Sequence, residues 1–124
     1  MCDTQLLPGY VIQLSDPLVP HLNSLDLEAQ TAYLRDMALI GRAVEEITQC
    51  KRVMYGIYGG LDPVLHSHIT PRYDWEGENF KRDVGHVYPN RYDPEFQFSL
   101  ERHGELRSNL EVRLLELLHQ ANLG

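Results

Sequence analysis

Two histidines separated by one residue lie in a short segment that is bounded by prolines on both sides. Residues 64–70 follow Leu61-Asp62-Pro63 and precede Pro71-Arg72. Proline fixes φ and lacks a backbone N–H, so we expect a strand between the two breaks, closed by Pro71. Side chains alternate along a strand. One face therefore carries Val64, His66, His68 and Thr70, and the other carries Leu65, Ser67 and Ile69.

Apolar spacing predicts further elements before the histidine strand. Residues 9–14 are typical of a strand. A long amphipathic helix is expected to begin near 24–26, with Asp26 as its N-cap, and to end near Gln49 or Cys50. Residues 52–58 predict a second strand. The short connection through Gly59-Gly60 favours an antiparallel hairpin with the histidine strand.

The rest of the chain contains an irregular segment and a helix. Residues 74–98 are interrupted by prolines and carry many aromatic side chains, so we expect them to pack on the body or on a second subunit, or to cover the site. Arg72 is expected to anchor the strand exit through a carboxylate, and Trp75 to serve packing or a dimer contact. A last helix is predicted from the N-cap Ser99 to Gly124. The order of elements predicts a single α+β domain over 1–124, with an antiparallel sheet, one long helix packed on it and a C-terminal helix.

Composition narrows the classes of function. The chain has 124 residues, 43% hydrophobic and 23% charged, which suits one globular domain. Its net charge of −7 argues against a nucleic-acid partner. The sequence shows no apolar run that predicts a membrane span and no signal-peptide pattern, so we expect a cytoplasmic protein. Cys2 and Cys50 are then expected to be reduced thiols.

The histidine pair alone leaves three interpretations open. The two side chains could be ordinary surface histidines. They could be two ligands of a metal site, although no spacing nominates His21, His86 or His103 as a third. Imidazole could also act as a nucleophile on phosphorus, because its neutral form is abundant at pH 7, with the second imidazole bonding the phosphate.

The neighbouring sequence resembles a known family. Residues 65–72, Leu-His-Ser-His-Ile-Thr-Pro-Arg, resemble the motif of the histidine triad (HIT) superfamily. Residues 7–12 resemble its Pro-Gly-His strand, and residues 25–30 the start of its long helix. Leu61-Asp62-Pro63, Tyr73 and Tyr88-Pro89 resemble a bacterial branch described as diadenosine polyphosphate hydrolase-like.

This resemblance implies a HIT-like fold, a homodimer and action on nucleotides joined through phosphoanhydride or phosphoramidate bonds. The family's middle histidine attacks the α-phosphate and forms a nucleotidyl-histidine that water resolves. Aligned on Pro71-Arg72, His66 is that middle position and His68 is the last one. The resemblance implies no metal and no cofactor. The expected partner is a nucleotide or dinucleoside polyphosphate.

The sequence also departs from the family. Val64 stands where the first triad histidine would be. Ser67, Met54 and Leu18 correspond to family positions for substrate binding, and Leu18 and Met54 replace a histidine and an asparagine. The chain is expected to begin at the family's middle, without the N-terminal hairpin. These differences keep an alternative open, which is a catalytically degenerate HIT-fold protein that binds nucleotides or a protein partner.

Overall fold

The computed structural model describes residues 1–60 and 62–123. Leu61, which belongs to the predicted turn before the histidine strand, and Gly124, the predicted end of the last helix, lie outside the described residues. The elements are β1 (Val11–Leu14), α1 (Leu27–Thr48), β2 (Arg52–Gly56), β3 (His66–Arg72), α2 (Val84–Val87) and α3 (Leu100–Leu123), with short 3₁₀ segments at Leu22–Ser24, Asp74–Lys81 and Pro94–Phe96. The predicted α+β class is confirmed.

The sheet is antiparallel and has the histidine strand at its centre. Its order is β1-β3-β2. Val11 pairs with Ile69 on one side of β3, and Tyr55 pairs with Ile69 on the other side. The predicted hairpin between β2 and β3 is therefore confirmed. A central strand has neighbours on both sides, so the two histidines are carried by the most constrained strand of the sheet.

The main core lies between the sheet and the two long helices. Val44 of α1, Ile69 of β3 and Leu110 of α3 are buried and form one cluster. Burying a side chain of this kind contributes roughly 1.5–3 kcal/mol. Helix α1 packs on both β2 and β3, and α3 packs on α1. One face of the sheet is thus covered by α1, which leaves the other face for the histidines.

The predicted N-caps of the two long helices, and the predicted end of α1, are confirmed. Asp26 caps α1, because its Oδ1 accepts a hydrogen bond from the N–H of Ala29 at 2.8 Å. The helix ends at Gln49, which adopts the left-handed conformation with φ of 56°. The hydroxyl of Ser99 accepts a hydrogen bond from the N–H of Arg102 at 3.2 Å at the start of α3.

All three strands have boundaries that differ from the prediction. Strand β1 begins at Val11 because Gly9 has a φ of 98°, which is not extended backbone. Strand β2 ends at Gly56 rather than at Tyr58, whose ring folds back over Gly56. Strand β3 begins at His66, two residues after the predicted start, and continues through Pro71 to Arg72. Strand β1 pairs with β3 only as far as Ile69, so Pro71 lies where one side of the strand has no strand partner and a missing N–H is tolerated.

The segment 74–98 packs on the body of its own chain. Its start forms 3₁₀ turns around Gly77, and Gln97 makes an antiparallel bridge to Thr4. None of the helices in the described ranges has the length and apolar character that a membrane crossing requires.

Gly9 and Gly104 provide a matched pair of glycine-to-alanine tests of this packing. Gly9→Ala is expected to destabilise the fold by roughly 1–3 kcal/mol, because φ is positive and the new Cβ would lie 2.7 Å from Cγ2 of Thr48. Gly104→Ala in α3 is expected to stabilise it by about 0.5–1 kcal/mol, because the site is open and alanine favours helix. Urea unfolding measures both changes. Equal effects of the same sign would contradict the fold around Gly9.

Candidate functional site

The histidines lie on the face of the sheet opposite α1. Leu14 of β1 pairs with His66, and Ile12 pairs with His68. On the other side of β3, Gly56 pairs with His68. Both imidazoles are half-buried. Their ring centroids are 5.1 Å apart, and the ring planes meet at 72°. The predicted placement of the two imidazoles side by side on one face is what the structure shows.

His66 is oriented by the backbone that precedes it. Its Nδ1 lies 2.8 Å from the carbonyl oxygen of Val64. A carbonyl oxygen can only accept, so Nδ1 must carry the proton and donate it. In the neutral ring, Nε2 is then unprotonated and presents a lone pair. This contact uses the main chain of Val64, so it does not depend on which side chain stands at that position.

His68 is held by a tyrosine from the turn before β1. The hydroxyl of Tyr10 lies 2.5 Å from Nδ1 of His68. The ring of Tyr58 lies on another side of the imidazole, with centroids 5.7 Å apart. Burial lowers the pKa of His68, and the neighbouring His66 lowers it further. His68 is therefore a neutral imidazole at neutral pH.

A cleft of about 490 Å³ opens beside His68. The sheet contributes Met54, Gly56, His68 and Thr70, and the irregular segment contributes residues 83–86 together with Arg91 and Tyr92. Gly56 allows the ring of Tyr58 to form one wall of the cleft, because a Cβ at position 56 would lie only 2.3 Å from that ring. A volume of this size is in the range of small-molecule sites. The segment 74–98 thus covers the site in its own chain.

Arg72 and Glu76 hold the wall of this cleft. Both side chains are fully buried, with Nη2 of Arg72 2.8 Å from Oε1 of Glu76. The other donors of Arg72 reach the carbonyl oxygens of Asn79 and Arg82 and the sulfur of Met54. All five N–H donors of the guanidinium are engaged. The prediction that Arg72 anchors the strand exit through a carboxylate is confirmed.

The ionisation of Glu76 follows from these contacts. Burial alone would raise the pKa of Glu76, but hydrogen bonds from Arg72 and from the N–H of Tyr73 outweigh it. The pKa of the carboxyl is therefore held below its usual value, and Glu76 is ionised at neutral pH. This pair fixes the direction in which the chain leaves β3.

Of the site residues predicted from the sequence, His68 and Met54 line the cleft, whereas His66, Ser67 and Leu18 do not. Met54 lines it, although its sulfur faces Arg72. Ser67 is fully buried on the α1 face, where its Oγ is 2.6 Å from the hydroxyl of Tyr33. The alternation of side chains along β3 turns Ser67 away from its histidine neighbours. Leu18 is exposed and does not line the cleft; the next residue, Val19, accepts a hydrogen bond from Leu65 at 2.7 Å.

Most residues that line the cleft were not predicted from the sequence, and Tyr10 and Arg91 are two of them. Tyr10 falls where the resembling Pro-Gly-His strand has its histidine, and that position was the available signal. Arg91 lies in the irregular segment, where no spacing pointed to it; it packs 4.7 Å from the centroid of the Tyr92 ring. Within residues 1–60 and 62–123, no three or more His, Cys, Asp or Glu side chains cluster in a way that could hold a metal ion.

The fold and its histidine strand place the chain in a structural class. The chain has the α+β fold of the histidine triad proteins. Over 85% of its length it is similar to a histidine triad protein from Bradyrhizobium japonicum, with 22% identity, a TM-score of 0.70 and 75% of that chain covered. It is also similar to a HIT-like protein involved in cell-cycle regulation from Bartonella henselae, solved with an unknown ligand, with 16% identity, a TM-score of 0.60 and coverage of 86% and 71%. No protein-family model and no curated protein matches the sequence.

Proposed function

We propose that the protein is a HIT-type enzyme that hydrolyses or transfers a nucleotidyl group at an α-phosphate. Its substrate would be a nucleotide phosphoramidate or a dinucleoside polyphosphate, as in the bacterial diadenosine polyphosphate hydrolase-like branch. The observation that carries the proposal is the hydrogen bond from Nδ1 of His66 to the carbonyl oxygen of Val64, at 2.8 Å. It leaves Nε2 of His66 with a free lone pair on the open face of the sheet.

The reaction would proceed in two displacements at phosphorus. In the first, Nε2 of His66 forms a bond to the α-phosphorus, and the bond to the leaving oxygen or nitrogen breaks. The leaving group takes up a proton from solvent, and the water that attacks in the second step returns one. In the second, water attacks the same phosphorus, the P–N bond to His66 breaks, and a nucleoside monophosphate is released. The acceptor in a transfer reaction would take the place of this water.

His68 would orient the phosphate. It lies beside His66, with ring centroids 5.1 Å apart, and borders the cleft. A neutral imidazole that bears a proton on the nitrogen facing the cleft can donate to a non-bridging phosphate oxygen. Arg91 supplies a permanent positive charge in the same cleft. These two donors support phosphate binding, although Met54 and Leu18 replace polar residues of the family with apolar ones.

The departures from the family motif favour a second candidate function. Val64 carries no imidazole, Leu18 lies outside the cleft, and Met54 offers only a sulfur that Arg72 already contacts. A HIT-fold protein that binds a nucleotide without turnover would show the same features. This reading retains the cleft and Arg91 and gives His66 no chemical role.

Turnover and binding separate the two candidates. With adenosine 5′-phosphoramidate and a diadenosine polyphosphate, we expect release of AMP, because the nucleophile is oriented before substrate binds. The assay is product chromatography with and without chelator, beside calorimetry with AMP. Heat of binding without product over long incubation would support the binding protein and overturn the enzyme. Activity that requires a metal and is lost with chelator would contradict both readings.

We also propose, from the family resemblance, that the protein is a cytoplasmic homodimer. Val112 and Leu115 are exposed apolar residues on α3, one turn apart. Sedimentation measures the assembly directly, and a monomer at high protein concentration would contradict the proposal.

A further inference from the structure

Tyr10 meets His68 from a backbone that is fixed by several hydrogen bonds. The carbonyl oxygen of Tyr10 accepts hydrogen bonds from the N–H of Cys2 at 2.9 Å and from Nε2 of Gln5 at 3.0 Å. Gln5 is buried, and its Oε1 also accepts from the N–H of Gly9 at 2.9 Å. The turn before β1 is therefore held in place, and it presents the Tyr10 hydroxyl to Nδ1 of His68 at 2.5 Å.

The direction of this hydrogen bond follows from the inventory of protons. A phenol has one proton to donate, and an imidazole nitrogen without a proton is a strong acceptor. Thr70 also contacts the phenol oxygen and lowers the pKa of Tyr10, as a hydroxyl that donates to this oxygen does, so the phenol proton is left for His68. Burial raises the pKa of Tyr10 above its usual value, so the phenol keeps its proton at neutral pH. Tyr10 therefore donates, and His68 accepts at Nδ1.

We propose that Tyr10 is a positioning residue that holds His68 in the Nε2–H tautomer, opposite to the tautomer in which Val64 holds His66. The inference rests on the proposed function for its catalytic consequence. Its structural content stands on two contacts: a carbonyl oxygen at Nδ1 of His66 and a phenol at Nδ1 of His68. The two histidines on this face of β3 thus carry their ring protons on different nitrogens, Nδ1 in His66 and Nε2 in His68.

Opposite tautomers suit two neighbouring histidines that act on one phosphate. His66 presents a lone pair at Nε2, which can attack phosphorus. His68 presents an N–H at Nε2, which can donate to a phosphate oxygen. Two lone pairs would repel the anionic oxygens, and two N–H groups would leave no nucleophile. Tyr10 therefore assigns the donor role to His68 without an additional charged group.

The groups around His68 bear on its titration. His66 faces it from β3, and Tyr10 and Tyr58 face it from the turns before β1 and after β2. The segment 74–98 adds four ionisable residues that line the cleft together with His68: Asp83, His86, Arg91 and Tyr92. A hydrogen bond donated to Nδ1 stabilises the neutral ring, so its removal is expected to raise the pKa of His68.

The test is ¹⁵N NMR of the histidine rings in the ligand-free wild-type protein at neutral pH. The ¹⁵N shifts and the couplings to ring protons distinguish a protonated ring nitrogen from an unprotonated one. We expect His68 to be protonated at Nε2 and His66 at Nδ1. The same tautomer in both rings, or His68 protonated at Nδ1, would overturn the proposal.

Tyr10→Phe adds a test of function, since it keeps the ring and removes only the hydroxyl. We expect a mixture of His68 tautomers, a raised pKa of His68 and a fall in kcat of about tenfold, with KM changed by less than about twofold. Tyr58→Phe, at a ring that makes no hydrogen bond to His68, should leave the His68 tautomer unchanged. An unaltered His68 tautomer in Tyr10→Phe would overturn the inference. A shifted tautomer without turnover in the wild type would overturn the proposed function alone.

Discussion

Replacement of His66 by alanine is expected to abolish turnover, with a fall in kcat of roughly 10⁴-fold or more. Nδ1 of His66 is occupied by its hydrogen bond to Val64, so Nε2 of His66 carries a free lone pair. In His68 the bond from Tyr10 occupies Nδ1 and the proton is on Nε2, so neither nitrogen of that ring can attack. The measurement is steady-state hydrolysis of adenosine 5′-phosphoramidate, followed by release of AMP. Nucleotide binding by calorimetry should survive the change, since the cleft walls are intact.

His119→Ala is the matched control for this substitution. His119 is exposed on α3, distant from β3 in sequence and outside the residues that line the cleft. Its replacement removes the same side chain and should leave kcat and KM unchanged. Turnover by His66→Ala within tenfold of the wild type would remove His66 from the role of nucleophile.

Replacement of Glu76 by alanine is expected to lower the free energy of unfolding by about 3–5 kcal/mol. The substitution leaves the fully buried guanidinium of Arg72 without its carboxylate. A loss of this size is a large fraction of the stability of a small domain. Because Arg72 and Glu76 fix the chain that leads to residues 83–86, the cleft should also lose its shape. Urea unfolding monitored by circular dichroism measures the change.

Glu78→Ala is the control for the loss of a carboxylate from the same segment. Glu78 is exposed, and its removal changes the net charge equally, so we expect an effect within about 0.5 kcal/mol. The folded-state pKa of Glu76 lies below its unfolded value. Its contribution is therefore present above the ordinary carboxylate pKa and is lost as pH falls through the folded pKa. The difference between wild type and Glu76→Ala should shrink in acid, and a constant difference would contradict the ion pair.

The position of the two histidines could be predicted because it depends on local rules. Strand alternation and the prolines around residues 64–70 were sufficient to put His66 and His68 on one face. The same alternation placed Ser67 on the other face. Ser67 was nevertheless proposed as a binding residue by analogy with the family, and the structure shows its hydroxyl bonded to Tyr33. The periodicity of the strand was the more reliable guide to that side chain.

The partners of the histidines depend on contacts between distant parts of the chain. Tyr10 reaches His68 only because β1 pairs with β3, and Arg91 enters the cleft from a segment without periodicity. The role of Val64 was also hidden from sequence reasoning, which considers its side chain, whereas the contact with His66 uses its carbonyl oxygen. Such main-chain contacts are set by tertiary structure and leave no residue signature.

The stereochemistry at phosphorus tests the central claim most directly, because it does not require the intermediate to accumulate. An adenosine phosphoramidate made chiral at phosphorus with sulfur would be hydrolysed in isotopically labelled water, and the configuration of the product determined. Attack by His66 followed by attack of water gives two in-line displacements, each of which inverts the centre, so the account predicts net retention. Net inversion, which a single direct attack by water produces, would contradict a nucleotidyl-His66 intermediate.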